Sequence, residues 1–224
     1  AGDGLAVGDV ADLITALADK SLVVLEPEVL GQARYRMLDT IREYAAARLA
    51  GTGESARFQL ALRDYMLRTA EHNLAVGMAQ VPVPWPARVD CSRRYIVDAG
   101  NVSRVLAWCL AHSDTETGLR ICAAVSPRWL VWGTFAEGSQ WLDSFLAAGA
   151  SGISPRVRGA ALTGRAQLAL SSDPAVAETL AVAGLELCRE AGDGFWAAVA
   201  LNLLGEVALH TGRMDEAVAW ADQA

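Results

Sequence analysis

Apolar positions follow a helical period along most of the chain. Between Asp9 and Asp19, Val10, Leu13, Ile14 and Leu17 fall at helical spacing. The pattern then changes. Ser21-Leu22-Val23-Val24-Leu25 is β-branched and extended, and beyond Glu26-Pro27-Glu28 and Gly31 the run Ala33 to Leu38 alternates, with Arg34, Arg36 and Leu38 set against Tyr35 and Met37. These two runs predict a β-hairpin, the one β signal in the sequence. Thr40-Ile41-Arg42-Glu43 fits a capping box, in which the Thr oxygen and the Glu carboxylate satisfy free N–H groups at a helix start. Ile41, Tyr44, Ala45 and Leu49 predict the buried stripe of that helix. A break at Gly51 to Glu54 precedes a long helix carrying Phe58, Leu62, Tyr65, Met66 and Thr69 on one face and fading near Gly77. Helix, hairpin, helix is the back half of a winged helix.

Val81-Pro82-Val83-Pro84-Trp85-Pro86 is predicted to be non-helical, since each Pro removes a donor and biases the residue before it toward extended geometry. The main domain boundary is expected there. Downstream, Val102, Val105, Leu106, Cys109 and Leu110 form one stripe and Phe135, Leu142, Phe145 and Leu146 a second. Val157, Ala161, Gly164 and Leu168 form a third, and Leu201, Leu204, Gly205 and Ala208 a fourth. Small residues in these stripes allow close axial approach, which suggests stacked α-hairpins rather than one thick core. Ala161-Leu162-Thr163-Gly164 followed by Ala175-Val176-Ala177 is echoed by Asn202-Leu203-Leu204-Gly205 followed by Ala217-Val218-Ala219, a period of about 41 residues. The last copy follows the tetratricopeptide pattern best. A weaker unit spans Gly118 to Ala148, where Ser126-Pro127 implies either a kink or an N-cap followed by Pro at the first helical position. The predicted fold is therefore mainly α: a partial winged helix with one β-hairpin over 1–50, a linking helix over 51–80, a Pro-rich linker at 81–86, and a tetratricopeptide-like α-hairpin array over 87–224.

Composition narrows the function. The chain has 224 residues, 53% of them hydrophobic, and no apolar run long enough to cross a bilayer. Its start, Ala1-Gly2-Asp3-Gly4, lacks the basic and apolar stretches of a secretory signal and has no initiating Met, so a cytoplasmic piece of something longer is expected. Cys91, Cys109, Cys122 and Cys188 include no C-x-x-C pair and no His at ligand spacing, so they read as buried small hydrophobes rather than metal ligands or disulfides. The net charge of −7 sits wholly beyond Ser171, where nine acidic residues face two basic ones, Arg189 and Arg213. Such a segment repels a phosphate backbone, and neither nucleic acid nor membrane is expected as a direct partner.

No Gly-x-x-x-x-Gly-Lys-Ser/Thr, Gly-x-Ser-x-Gly or His-Glu-x-x-His occurs, and His72, His112 and His210 lie far apart without an obvious partner. The chain is expected to be non-catalytic.

The run Leu13-Ile14-Thr15-Ala16-Leu17-Ala18-Asp19-Lys20-Ser21-Leu22-Val23, followed by Arg34-Tyr35-Arg36-Met37-Leu38-Asp39-Thr40-Ile41-Arg42-Glu43-Tyr44-Ala45, closely resembles the winged-helix region of STAND-class ATPases, in particular large bacterial regulators of the LuxR and AfsR type. Asn101 to Trp108 is similar to that family's N-L-R-x-A-L-x-W helix, and Trp132-Gly133-Thr134-Phe135-Ala136-Glu137-Gly138 with Trp141-Leu142 to its next hairpin. The resemblance implies a regulatory, protein-interaction segment. In such proteins a P-loop NTPase module precedes it, an output domain lies at one end, and ATP or ADP is a ligand of the parent protein rather than of this segment. Met37-Leu38-Asp39 matches the place of the family's M-H-D nucleotide-sensor motif, with Leu38 where the His would touch phosphate. Leu38 has no hydrogen to donate, which leaves Asp39 to cap the next helix or to keep a sensing role. The first helix carries Asp9, Asp12 and Asp19 against Lys20 alone, which favours packing on the NTPase module over entry into a DNA groove. The alternative is a free-standing helical-repeat adaptor binding a protein or peptide partner on its concave face through Arg128, Trp129 and Trp132.

Overall fold

A computed structural model describes residues 7–29, 32–149 and 152–224. Ala1 to Gly4 and Gly31, read above as a chain start and a turn, lie outside the described residues. The architecture is mainly α with one β-hairpin: ten helices and two strands among the described residues. Two compact units are resolved, one up to Ala61 and one from Leu62 to Ala224.

In the first unit, α1 (Val7–Asp19) packs against β1 (Val23–Val29), which pairs antiparallel with β2 (Gln32–Met37). Val23 faces Met37 and Leu25 faces Tyr35. The register shifts between Glu26 and Val29, where Pro27 has no N–H to give the ladder. α1 stops at Ser21 with φ 57°, as the Ser21 N–H donates to Ala18 O and the Leu22 N–H to Leu17 O, the paired bonds of a Schellman stop.

The helix after the hairpin, α2 (Asp39–Ala50), corrects the expected capping box. Its N-cap is Leu38, held extended at φ −61° and ψ 147° by the strand that ends one residue earlier, and no side chain caps it. Asp39 is therefore inside the first turn rather than at the cap, pairs with Arg42 at 2.6 Å, and is favoured there by the helix dipole. No residue of α2 is buried, and Tyr44, expected in the stripe, is 66% exposed.

Gly53, at φ 74°, reverses the chain into α3 (Ser55–Gly77), which crosses the division between units. Its buried residues are Met66, Ala70 and Val76, while Phe58 and Tyr65 of the expected face are exposed. Within the second unit the remaining helices are α4 (Trp85–Ala111), α5 (Thr115–Val131), α6 (Phe135–Ala147), α7 (Pro155–Ala169), α8 (Pro174–Glu190), α9 (Gly194–His210) and α10 (Met214–Ala221). The segment expected to be non-helical is so only over 81–84: α4 starts at Trp85, with Pro84 as N-cap and Pro86 inside the first turn, where a missing N–H costs nothing. Arg88 reaches back from α4 and donates through Nε and Nη2 to Gly77 O.

The same stop, built on a glycine, ends α5, α8 and α9. Gly133, Gly192 and Gly212 adopt positive φ and donate their N–H groups to Leu130, Arg189 and Leu209 carbonyls. After Gly192 the chain restarts at once, since Asp193 Oδ1 accepts the Trp196 N–H and caps α9. The stripes of α7 and α9 are buried as expected: Val157, Ala161, Gly164 and Leu168, then Leu201, Leu204, Gly205 and Ala208. The main core joins α3, α4, α5, α6 and α7 through Met66, Leu106, Leu119, Trp129, Leu142, Phe145 and Leu168. Where α7 crosses α8, Gly159 and Gly184 face each other, and a Cβ on either would stand about 3 Å from the other's carbonyl oxygen. α5 runs through Ser126-Pro127 as one helix, so Ser126 is not the N-cap of a new one. No helix among the described residues is long and apolar enough to cross a membrane.

Candidate functional site

The residues read as a degenerate sensor form one continuous stretch. Met37 ends β2 opposite Val23, Leu38 is 41% exposed at the strand–helix junction, and the Asp39 carboxylate is paired with Arg42. A phosphate needs donors, and among these three side chains there are none.

Arg128, Trp129 and Trp132 are not brought to one face. Successive helical residues point about 100° apart, and Trp129 turns inward, 1% exposed, while Trp132 is 48% exposed at the end of α5. Arg128 is half-buried and donates through Nη1 to Ser92 Oγ at 2.5 Å, with desolvation holding its pKa below the usual guanidinium value. The four cysteines are free and buried. His112 accompanies the end of α4, stacked on Trp108 at 4.3 Å with Nδ1 2.8 Å from Trp108 O. Among the described residues no cluster of three or more His, Cys, Asp or Glu could hold a metal ion.

A groove of about 450 Å³ lies elsewhere, on the face where α3, α5, α7 and α9 contribute in turn. Its floor is Ala123, Ala124 and Ala160, with Leu74, Phe195 and Trp196 beside them. The charged rim is organised by pairs that cross between helices. Arg120 donates through Nε to Glu71 at 2.8 Å, joining α5 to α3. Glu116 Oε2 accepts the Ser154 N–H, and Ser154 Oγ accepts the Val157 N–H to cap α7. Arg156 Nε donates to Asp193 Oδ2 at 2.7 Å, joining α7 to the cap of α9. Asp193 is thus buried yet fully bonded, one oxygen to a backbone N–H and one to a guanidinium.

The sequence reading located the partner surface on α5 but not in this groove. Glu116, Arg120, Ala123 and Ala124 do repeat at helical spacing, a mixed polar and small stripe opposite the apolar one. Its continuation onto Glu71, Arg156 and Asp193 carries no signal along the chain, because those residues are brought together from three other helices.

No protein-family model matches the chain, and no solved structure does. It is similar to proteins named Putative HTH-type transcriptional regulator from Mycobacterium bovis and from two strains of Mycobacterium tuberculosis, each 30% identical over 204 residues. The match covers 86% of this chain and 22% of each relative, so the chain spans about a fifth of the length of the curated relatives it matches.

Proposed function

We propose that this chain is a non-catalytic regulatory and protein-interaction segment of a STAND-type, ATP-dependent transcriptional regulator, coupling a nucleotide state or signal to an output. The observation that carries the reading is the 30% identity over most of the chain to proteins named as transcriptional regulators about four times as long. The architecture agrees with it: a helix–hairpin–helix unit is followed by a unit of consecutive α-hairpins, the order expected from the STAND resemblance.

In this reading the exposed apolar side chains of the first unit, Leu13, Leu25, Tyr35 and Tyr44, pack on an upstream NTPase module. ATP or ADP binds to that module, and the helical hairpins hold a partner or restrain the module until nucleotide exchange. The setting is the cytoplasm, with no direct grip on nucleic acid or membrane by this segment. Sequencing the reading frame on both sides of Ala1 and Ala224 tests it. A P-loop upstream and an output domain elsewhere in the frame are the expected result. Stop signals close to both ends would overturn it.

The second reading is a free-standing adaptor, to which the groove on α3, α5, α7 and α9 offers a place for a peptide partner. In that case a peptide partner binds without nucleotide.

A further inference from the structure

We propose that the cleft between α3 and α4 binds a small molecule through a phosphate group. The inference rests on residues of the second unit alone and holds under either reading above. The cleft has a volume of about 580 Å³, room for a ligand larger than the anion itself.

Its walls change character with distance from the segment that connects the two helices. α3 runs into that segment and α4 runs out of it, and Arg88 ties the two together there through Gly77 O. Val76, Val83 and Ala87 line the end beside the connection, which is apolar. His72 on α3 and Asp90 on α4 come next. Arg68 on α3 and Arg94 on α4 come last, each about 13 Å along its helix from the connection, so the two arginines stand on opposite walls at one height.

The lining charge favours an anion. Asp90 is the one acid among the residues that line the cleft, against two arginines and before any charge on His72. Arg68, His72 and Asp90 have no hydrogen-bond or ion-pair partner among the described residues. The same sign prevails around the cleft: Leu62 to Ala111 holds six Arg against four acids, in a chain whose net charge is −7. Two of those acids are already spent, Asp64 on Arg63 and Glu71 on Arg120 from α5.

Forks on opposite walls suit a tetrahedral dianion, whose oxygens point both ways, better than a planar carboxylate, which one fork satisfies. Asp90, nearer the connection, is left to accept a hydrogen bond from a hydroxyl of the same ligand, and the apolar end receives its carbon skeleton.

Isothermal titration of the full chain with inorganic phosphate, ribose 5-phosphate and ribose tests the proposal. Both phosphates are expected to bind, the ester more tightly, and ribose not at all. Arg68→Gln and Arg94→Gln should each weaken both phosphates about tenfold, the loss of one charge-assisted contact. Asp90→Asn should tighten inorganic phosphate about threefold by removing a like charge. Arg104→Gln, on α4 but outside the cleft, should leave both unchanged. Circular dichroism confirms that each variant is folded, and either cleft arginine suffices if the other variant is not. Failure of both phosphates to bind at millimolar concentration, binding of ribose as tight as that of its phosphate, or unchanged affinity in the folded cleft variants would each overturn the proposal. So would an equal loss in Arg104→Gln, the mark of a diffuse basic surface. The reading-frame experiment is decided independently of these outcomes.

Discussion

Ser126 Oγ donates to the Ala123 carbonyl oxygen at 2.9 Å, deep in the core of the second unit. In a regular helix that carbonyl would accept the N–H of residue 127, and residue 127 is a proline. The serine hydroxyl therefore supplies the donor that its neighbour lacks, and α5 continues unbroken to Val131. Ser126→Ala is expected to leave a buried acceptor unpaired and to cost about 1–3 kcal/mol. In a Pro127→Ala background the backbone N–H returns, and the same substitution should cost well under half as much. Urea denaturation of the four proteins measures the coupling. An identical cost in both backgrounds would show that the two residues act separately.

Gly138 lies where α6 meets α5. A Cβ added there would come within 2.6 Å of the Trp129 ring and 2.8 Å of Leu168 Cδ1. Gly138→Ala should destabilise by about 1–3 kcal/mol through overpacking, although Ala is the better helix former. Gly100, within α4, has nothing within 4 Å of the same added carbon. Gly100→Ala is expected to raise stability by up to about 1 kcal/mol. Thermal denaturation should move the two midpoints in opposite directions.

Asp193 caps α9 and anchors Arg156. Asp193→Ala removes both bonds and should cost about 1–2 kcal/mol, with faster amide exchange at Trp196. Asp193→Asn retains an oxygen for the Trp196 N–H and should keep most of the protection there. Equal exchange in the two variants would mean that the cap contributes nothing.

Burial raises the thiols from their ordinary value of 9.0, to about 12 at Cys109 and about 11 at Cys188. At pH 8 the folded chain should react slowly with an aromatic disulfide reagent, and fully once denatured. The sign of the pH effect follows from the direction of the shifts. A raised pKa means that the unfolded chain loses its thiol protons first, so stability is complete below pH 9 and falls as pH rises toward 11–12. Cys109→Ala should flatten that fall, which denaturation series across this window would record.

Helices with a two-sided environment were legible in the sequence. Val157, Ala161, Gly164 and Leu168 are buried on α7 because a 3.6-residue period places them on one line, and neighbouring helices cover it. The stripe of α2 has the same spacing but no buried member, since amphipathicity states which face seeks cover and not whether cover is present. The capping box at Thr40 failed for a related reason. Thr40 and Glu43 have the right types and spacing, but pairing of Met37 with Val23 ends the strand where Leu38 must become the cap.

From sequence alone came the mainly α class, the single hairpin, and the helical stripes of α7 and α9. Each of these depends on backbone energies set by residues within a turn or two of one another. Tertiary structure alone decided that Trp129 is core and Trp132 surface, and that Glu71, Arg120, Arg156 and Asp193 share one groove. Those outcomes depend on surfaces and charges delivered from helices distant in the chain, and desolvation and pairing act only once folding has brought them together.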